Sequence, residues 1–458
     1  MEIDQAGASS RRGISRHWRH RRLVGVLAVV PLLALAACSS SSKSGANASG
    51  GATPSTPAGS GGVATSQPSS TSGGGGESGT LTVWHYFSDK NQVKVMTDYA
   101  DLFEKNHPGV KVDNVFVPYD QMNSKLISAA GAQQGPDVAV FNGADASTLA
   151  LGGALAPIDS EWSSFADASQ FPNSVIHKLD GKVYAVQGYV NLLGLWYNAD
   201  ILQKIGVQPP KTIDDLEAAM AAAKKAGYMG ITLCGLPQSQ GEWQAYPWLT
   251  SSGFSYDKPD AKALESGLSL VRDWVQKGYL SKAATTWDQT VPFQEFAAGK
   301  SAFAENGNWQ MGTAASTAKF KYGVVPLPLS SSGKVYLGGE GEAVGAFSKH
   351  KDLAWQYLKE TYFSAQGQLI ALKDVGSIPS RNDAAQDPAV TNDELLKPFA
   401  ETIAKMGANY PAEVVPPKSV ADVELTLGQA WSSVLAGQTS PESTASKAVS
   451  TLQGLLQK

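Results

Sequence analysis

Cysteine is scarce in this chain of 458 residues: only Cys38 and Cys234 are present. Two thiols so far apart give no disulfide framework. Histidine is almost as scarce, with six residues scattered without the spacing of a zinc site. Charged residues make up 17% of the chain and the net charge is -4, so there is no basic field to hold nucleic acid. No P-loop, GxSxG elbow or HExxH motif occurs. No short-period repeat is visible, which argues against a solenoid. The apolar run from Leu23 to Ala37 is about fifteen residues, short of the roughly 20 that a transmembrane helix needs. What remains is a soluble globular balance, 42% hydrophobic, in a chain too long for one ordinary core and long enough for two lobes.

The apolar run reads as the core of a secretion signal, because the basic segment RHWRHRR precedes it at 16–22. It ends in Leu35-Ala36-Ala37-Cys38, which resembles a bacterial lipobox. Small side chains there fit the signal peptidase, and the Cys38 thiol accepts the diacylglycerol. The expectation is a signal peptide over 1–37 and a lipid anchor at Cys38 on the extracytoplasmic face of a bacterial membrane. An ordinary signal peptide with an incidental cysteine is the competing assignment, and Arg21-Arg22 leaves a twin-arginine route open. Residues 39–79 are almost all Ser, Gly, Thr, Ala and Pro and cannot bury enough surface to order themselves. With Cys38 they form a tether over 38–79 that spans ~35 Å as a flexible coil.

From Thr80 strands and helices alternate. LTVWHYF is rich in β-branched and aromatic residues and predicts a strand. A helix follows, with Val95, Tyr99, Leu102 and Phe103 at helical spacing and Pro108-Gly109 as the stop. VKVDNVFV predicts a second strand, MNSKLISAAGAQ a helix and DVAVF a third strand. This βαβαβ order implies a parallel sheet with helices on both faces. Ligands of such sheets sit at the carboxyl ends of the strands. That rule places His85, Tyr86 and Asn142 on one rim. The pattern restarts with LLGLWYN; Thr212 then caps a long helix that carries Asp214, Asp215 and Glu217 near its start. GITLCG predicts another strand with Cys234 as a buried structural thiol. Further helices are predicted around 261–277, 291–299, 351–371 and 441–457.

Six segments, in this order and spacing, carry a family resemblance: LTVWHYFSD; GPDVAVFNGAD; GKVYAVQGYVNLLGLWYNADIL with GVQPPKTIDDL; FQEFAAGKSAFAENGNW; GGEGEAVGAFSKHKDLAWQYL; and GSIPSRNDA. Residues 80–458 resemble family 1 extracellular solute-binding proteins, the group that includes maltose-binding protein. The resemblance implies an α/β, two-lobed periplasmic-binding-protein-like fold with discontinuous lobes joined by a hinge. It sets the crossings at about Tyr189–Leu193, Val325–Pro328 and Val375–Ser377. Lobe one would hold 80–189 and 328–375, and lobe two 190–327 and 376–458.

The resemblance also points to ligand contacts. Trp309, in Gly307-Asn308-Trp309, matches an aromatic that stacks on a sugar ring. Trp243 in QSQGEWQAYPW and Trp287 are further stacking candidates, and Asp288, next to Trp287, is a further candidate contact. For each, packing in the core is the competing assignment. Asn191 falls in the first crossing, where a polar group inside GYVNLLGLWY would be costly to bury unpaired. Gly339 lets backbone approach a ligand, and the Glu340 carboxylate can accept hydroxyl protons. Arg381, after Ile378-Pro379-Ser380, matches a further contact position.

The implied function is capture of a small polar ligand, a mono- or oligosaccharide, for the transmembrane subunits of an ABC permease. No cofactor, metal or nucleic acid enters this scheme, and a monomer is expected. A sugar phosphate or another polar solute is the alternative cargo, although Arg381 is the only basic residue among the candidates. A ligand-sensing lipoprotein of the same fold is a second alternative. A glycosidase that uses Asp288 and Glu340 is a third, unsupported by any local motif.

Overall fold

The computed structural model describes residues 79–457. The signal segment, Cys38 and most of the tether lie outside the described residues. Among the described residues, no helix is long and apolar enough to cross a membrane.

Strand β1 (Gly79–His85) buries Leu81, Val83 and His85, every second residue. The helix Lys90–Asn106 starts on Asp89, whose side chain accepts from the Asn91 amide at 2.8 Å, and turns Val95, Met96, Tyr99 and Phe103 inward. Strands β2 (Val110–Phe116) and β3 (Val138–Asn142) flank β1, both parallel to it. The expected parallel arrangement ends there. Strands β4 (Ile176–Leu179) and β5 (Lys182–Val186) meet across Asp180-Gly181, two residues with positive φ, and so close tight connectivity can only be antiparallel.

The chain then passes through β6 (Tyr189–Val190) into a second sheet. Its strands are β7 (Leu193–Asn198), β8 (Met229–Thr232), β9 (Ser301–Gly307) and β10 (Tyr322–Val325), in the order β10-β7-β9-β8. All seven residues of β9 are buried. The helix Ile213–Lys225 has the predicted cap as a reciprocal box: the Asp215 amide donates to Thr212 Oγ1 and the Thr212 amide to Asp215 Oδ2, both at 3.1 Å. Glu217 serves elsewhere, accepting from Trp274 Nε1 at 2.9 Å. After β11 (Val335–Leu337), strand β12 (Glu340–Val344) returns to the first sheet and inserts antiparallel between β3 and β5. The six-stranded order is β2-β1-β3-β12-β5-β4.

The predicted helical stretch at 351–371 is two helices, Lys351–Glu360 and Ala365–Val375, the second capped by Ser364. The two longest unpredicted helices, Ser239–Ser251 and Val420–Ala436, pack on each other. The first is buried on all sides from Gly241 to Thr250 and contains Pro247, so it has no amphipathic stripe to read.

The crossings between lobes form one knot. β6 pairs with β13 (Ile378–Pro379), and the Asn191 and Gly338 backbones exchange two hydrogen bonds of 2.9 Å. Asn308 ties these strands together: its Oδ1 accepts from the Leu192 amide, and its Nδ2 donates to Asn191 Oδ1 and to the Gly376 carbonyl, each at 2.9 Å. Two expected boundaries move. Val335 and Tyr336 lie in the core of the second lobe, and β11 pairs with β14 (Gly407–Asn409), so the return falls at Gly338 rather than Val325–Pro328. At the other end, Ser380 and Arg381 still bond to Gln187, Gln368 and Phe363 of the first lobe, so the chain stays there beyond Gly376.

Candidate ligand-binding site

A cavity of about 470 Å³ lies between the lobes, at the carboxyl ends of β1, β2 and β3. The first lobe contributes Tyr86 and Asp89 beyond β1, Phe116, Tyr119 and Asp120 at the end of β2, Asn142 from β3, and Gly339 and Glu340 at the start of β12. The second lobe contributes Gln238, Gln240 and Trp243 around the start of the helix Ser239–Ser251. Asp288 and Gln289 precede the helix Thr290–Ala297, and Trp309 with Gln310 follow β9. Tyr410 completes this side, and Asn191 faces the cavity from the hinge.

Glu340 is the buried centre of the wall. Tyr86 donates its hydroxyl to Oε1 at 2.9 Å and Asn191 its amide to Oε2 at 3.3 Å. Burial raises its carboxyl to about 7, against the pull of the Tyr86 hydroxyl. Asn142 joins the lobes: its Nδ2 donates to the Tyr119 hydroxyl at 3.0 Å and to the Tyr410 hydroxyl at 3.4 Å. The Tyr410 hydroxyl in turn donates to Glu424 Oε1 at 2.8 Å. Asp288 Oδ1 accepts from the Thr290 and Val291 amides, at 2.8 and 3.1 Å.

The two cavity tryptophans are seated on glycines. The Trp309 ring lies so close to Gly307 that a Cβ there would come within 1.8 Å of it. Trp243 lies over Gly338 in the same manner, at 2.3 Å, and meets Tyr410 edge-on at 4.7 Å. Glycine at these positions lets a flat ring lie on backbone.

Of the predicted contacts, Tyr86, Asn142, Asn191, Trp243, Asp288, Trp309, Gly339 and Glu340 meet at this cavity. Three do not. His85 is on the opposite face of β1 from Tyr86 and is buried; its Nδ1 accepts from the Phe87 amide at 3.2 Å, and burial lowers its pKa to about 4, so the ring is neutral. Trp287 is half-buried against the core of the second lobe, and only its neighbour Asp288 reaches the cavity. Arg381 is buried and occupied: it bonds Asp167 and the Phe363 carbonyl through Nη1 and Asp383 through Nε and Nη2. Cys234 is buried with burial raising its thiol pKa, in keeping with a structural role.

Sequence reasoning missed Tyr119, Gln238, Gln240, Gln289, Gln310 and Tyr410. Tyr119 follows β2, so the strand-end rule applied to the second strand would have found it. Tyr410 arrives from the C-terminal part of the chain with no local signal. Among the described residues, no cluster of His, Cys, Asp and Glu could hold a metal ion.

The family model for bacterial extracellular solute-binding proteins matches residues 98–398, more than half of the chain. The chain is 24% identical over 389 residues to a maltotriose-binding protein of Pyrococcus abyssi, covering 76% of this chain and 80% of that protein. It is 24% identical over 349 residues to a maltooligosaccharide ABC transporter solute-binding lipoprotein of Streptococcus pneumoniae, covering 69% of this chain and 80% of that one. The GacH receptor of Streptomyces glaucescens, solved unliganded and with acarbose, has a TM-score of 0.74 to this chain at 27% identity, covering 83% of this chain and 99% of the receptor. With two α/β lobes, a knotted hinge and a cavity between them, this chain belongs to the bacterial extracellular solute-binding proteins.

Proposed function

We propose that the chain is the lipid-anchored, sugar-capturing component of an ABC importer and that it performs no chemistry on its cargo. One observation carries this reading: the cavity combines aromatic rings with side-chain amides and carboxylates, and none of its lining residues is Lys or Arg. A sugar ring offers C–H patches to the former and hydroxyls to the latter. The missing cations weigh against a sugar phosphate. The glycosidase alternative loses ground because both Glu340 oxygens are engaged by Tyr86 and Asn191. The relatives that bind maltotriose and maltooligosaccharides support an oligosaccharide as cargo.

A thermal-shift screen of residues 80–458 against mono-, di- and oligosaccharides tests the reading. A sugar at 100 times its dissociation constant stabilises the native state by roughly 2.7 kcal/mol. Silence toward every sugar would move the cargo to another polar solute. The anchor has its own test: Cys38→Ser is expected to shift the protein from the membrane to the soluble fraction, and retention in the membrane would defeat it. Delivery to a permease is distinguished from ligand sensing by whether deletion of the gene abolishes uptake.

A further inference from the structure

The cavity is unbalanced in charge. Asp89, Asp120, Asp288 and Glu340 line it with no lysine or arginine among them. The hydrogen-bond partners of Glu340, Asp288 and Asp89 are neutral. Glu340 has the Tyr86 hydroxyl and the Asn191 amide. Asp288 has two main-chain amides, and Asp89 has the Asn91 amide at 2.8 Å and the Thr313 hydroxyl at 3.4 Å. Cations do meet carboxylates elsewhere in the described residues, as in Lys94 with Asp98 and Asp374 and Arg381 with Asp167 and Asp383. Neutral donors satisfy the oxygens but leave the net charge, and like charges around one cavity repel more strongly once water is expelled. A neutral sugar completes hydrogen bonds without removing this repulsion. A ligand with positive charge does both. Tyr86 and Trp309 line the same cavity, and an aromatic face also attracts an ammonium group.

We propose that the cargo is a saccharide bearing one or more protonated amino groups, bound with its ammonium groups against these carboxylates. This rests on the sugar reading above. Asp89, Asp120 and Asp288 supply the standing counter-charge, an ammonium beside Glu340 draws its buried carboxyl into the charged form, and the rings cover the C–H face.

Isothermal titration of the full-length protein in detergent tests this with matched disaccharides, α-linked and β-linked, each as the neutral sugar, its amino-deoxy counterpart and the N-acetylated form. The amine is expected to bind at least about thirtyfold tighter than the neutral sugar at low salt. That margin should shrink on raising salt from about 0.02 to about 0.3 M, vanish on N-acetylation and narrow in Asp288→Asn. Neutral sugars that bind as well as or better than the amines would overturn the inference and leave the sugar reading intact. An amine preference that survives N-acetylation would also overturn it. If no member of any set binds, the sugar reading and this inference fall together.

Discussion

The family resemblance points to both Trp309 and Arg381 as ligand contacts, and the structure brings only Trp309 to the cavity. Trp309 is half-buried on the cavity wall, its ring seated on Gly307. Trp309→Ala is therefore expected to weaken sugar binding at least about tenfold while the fold stays intact, as measured by titration and thermal unfolding. An unchanged affinity would remove the stacking role. Arg381 holds its own lobe together through Asp167, Asp383 and Phe363. Arg381→Met is expected to cost about 1–2 kcal/mol in denaturant unfolding, because the partner carboxylates Asp167 and Asp383 are half-exposed, and to change ligand affinity less than about twofold. The motif around Arg381 located its segment, but its partner Asp167 lies far away in sequence, and no local pattern reveals which way a long side chain turns. His85 illustrates a simpler limit. The strand-end rule found the right edge of the sheet, yet alternation sends His85 and Tyr86 to opposite faces, and only one can reach the cavity.

At the scale of elements, legibility followed periodicity. The helices Lys90–Asn106 and Ala261–Gln276 carry strong apolar stripes and stand where the pattern put them. The helix Ser239–Ser251, buried all round, left no stripe, although it carries Trp243 into the cavity. The parallel sheet was read correctly for three strands. The antiparallel insertion of β12 was invisible because its partners are β3 and β5, both distant in the chain. That insertion turns at Gly339, which has φ of +149°; a Cβ there would come within 2.3 Å of the Tyr189 carbonyl oxygen. Gly339→Ala is expected to destabilise the protein by about 2–3 kcal/mol and to weaken binding by displacing Glu340. Thermal unfolding and titration of the same variant check both effects, and wild-type values in both would show that the turn tolerates a side chain.

At the scale of the molecule, the balance of buried charge sets the response to pH. Burial holds Glu305, Glu342 and Glu424 above the ordinary carboxyl range, Asp145 at about 6 and Glu242 at about 7, alongside Glu340. Unfolded, these groups lose their protons from pH 4–5 upward, while the native state keeps them. Their stabilising contribution is therefore lost as pH rises toward and past 7. His85 and His177, lowered to about 4 by burial, act in the other direction, and their contribution is lost as pH falls below 6.5. The carboxyls outnumber the histidines, so the unliganded protein is expected to melt at least about 5 °C lower at pH 8 than at pH 5. Glu342→Gln should flatten that slope, and a melting point that rises with pH would contradict the assignment. The hinge bears on function at this same scale. Asn308 bonds to Leu192, Asn191 and Gly376 at once, beside the β6–β13 pairing and the two Asn191–Gly338 bonds, so the strands between the lobes are held as one unit. Strands bound together in this way cannot slide past one another independently, so any turning of one lobe against the other is confined to this unit. In such a turn a residue at the mouth of the cavity would travel farther than one near Asn191.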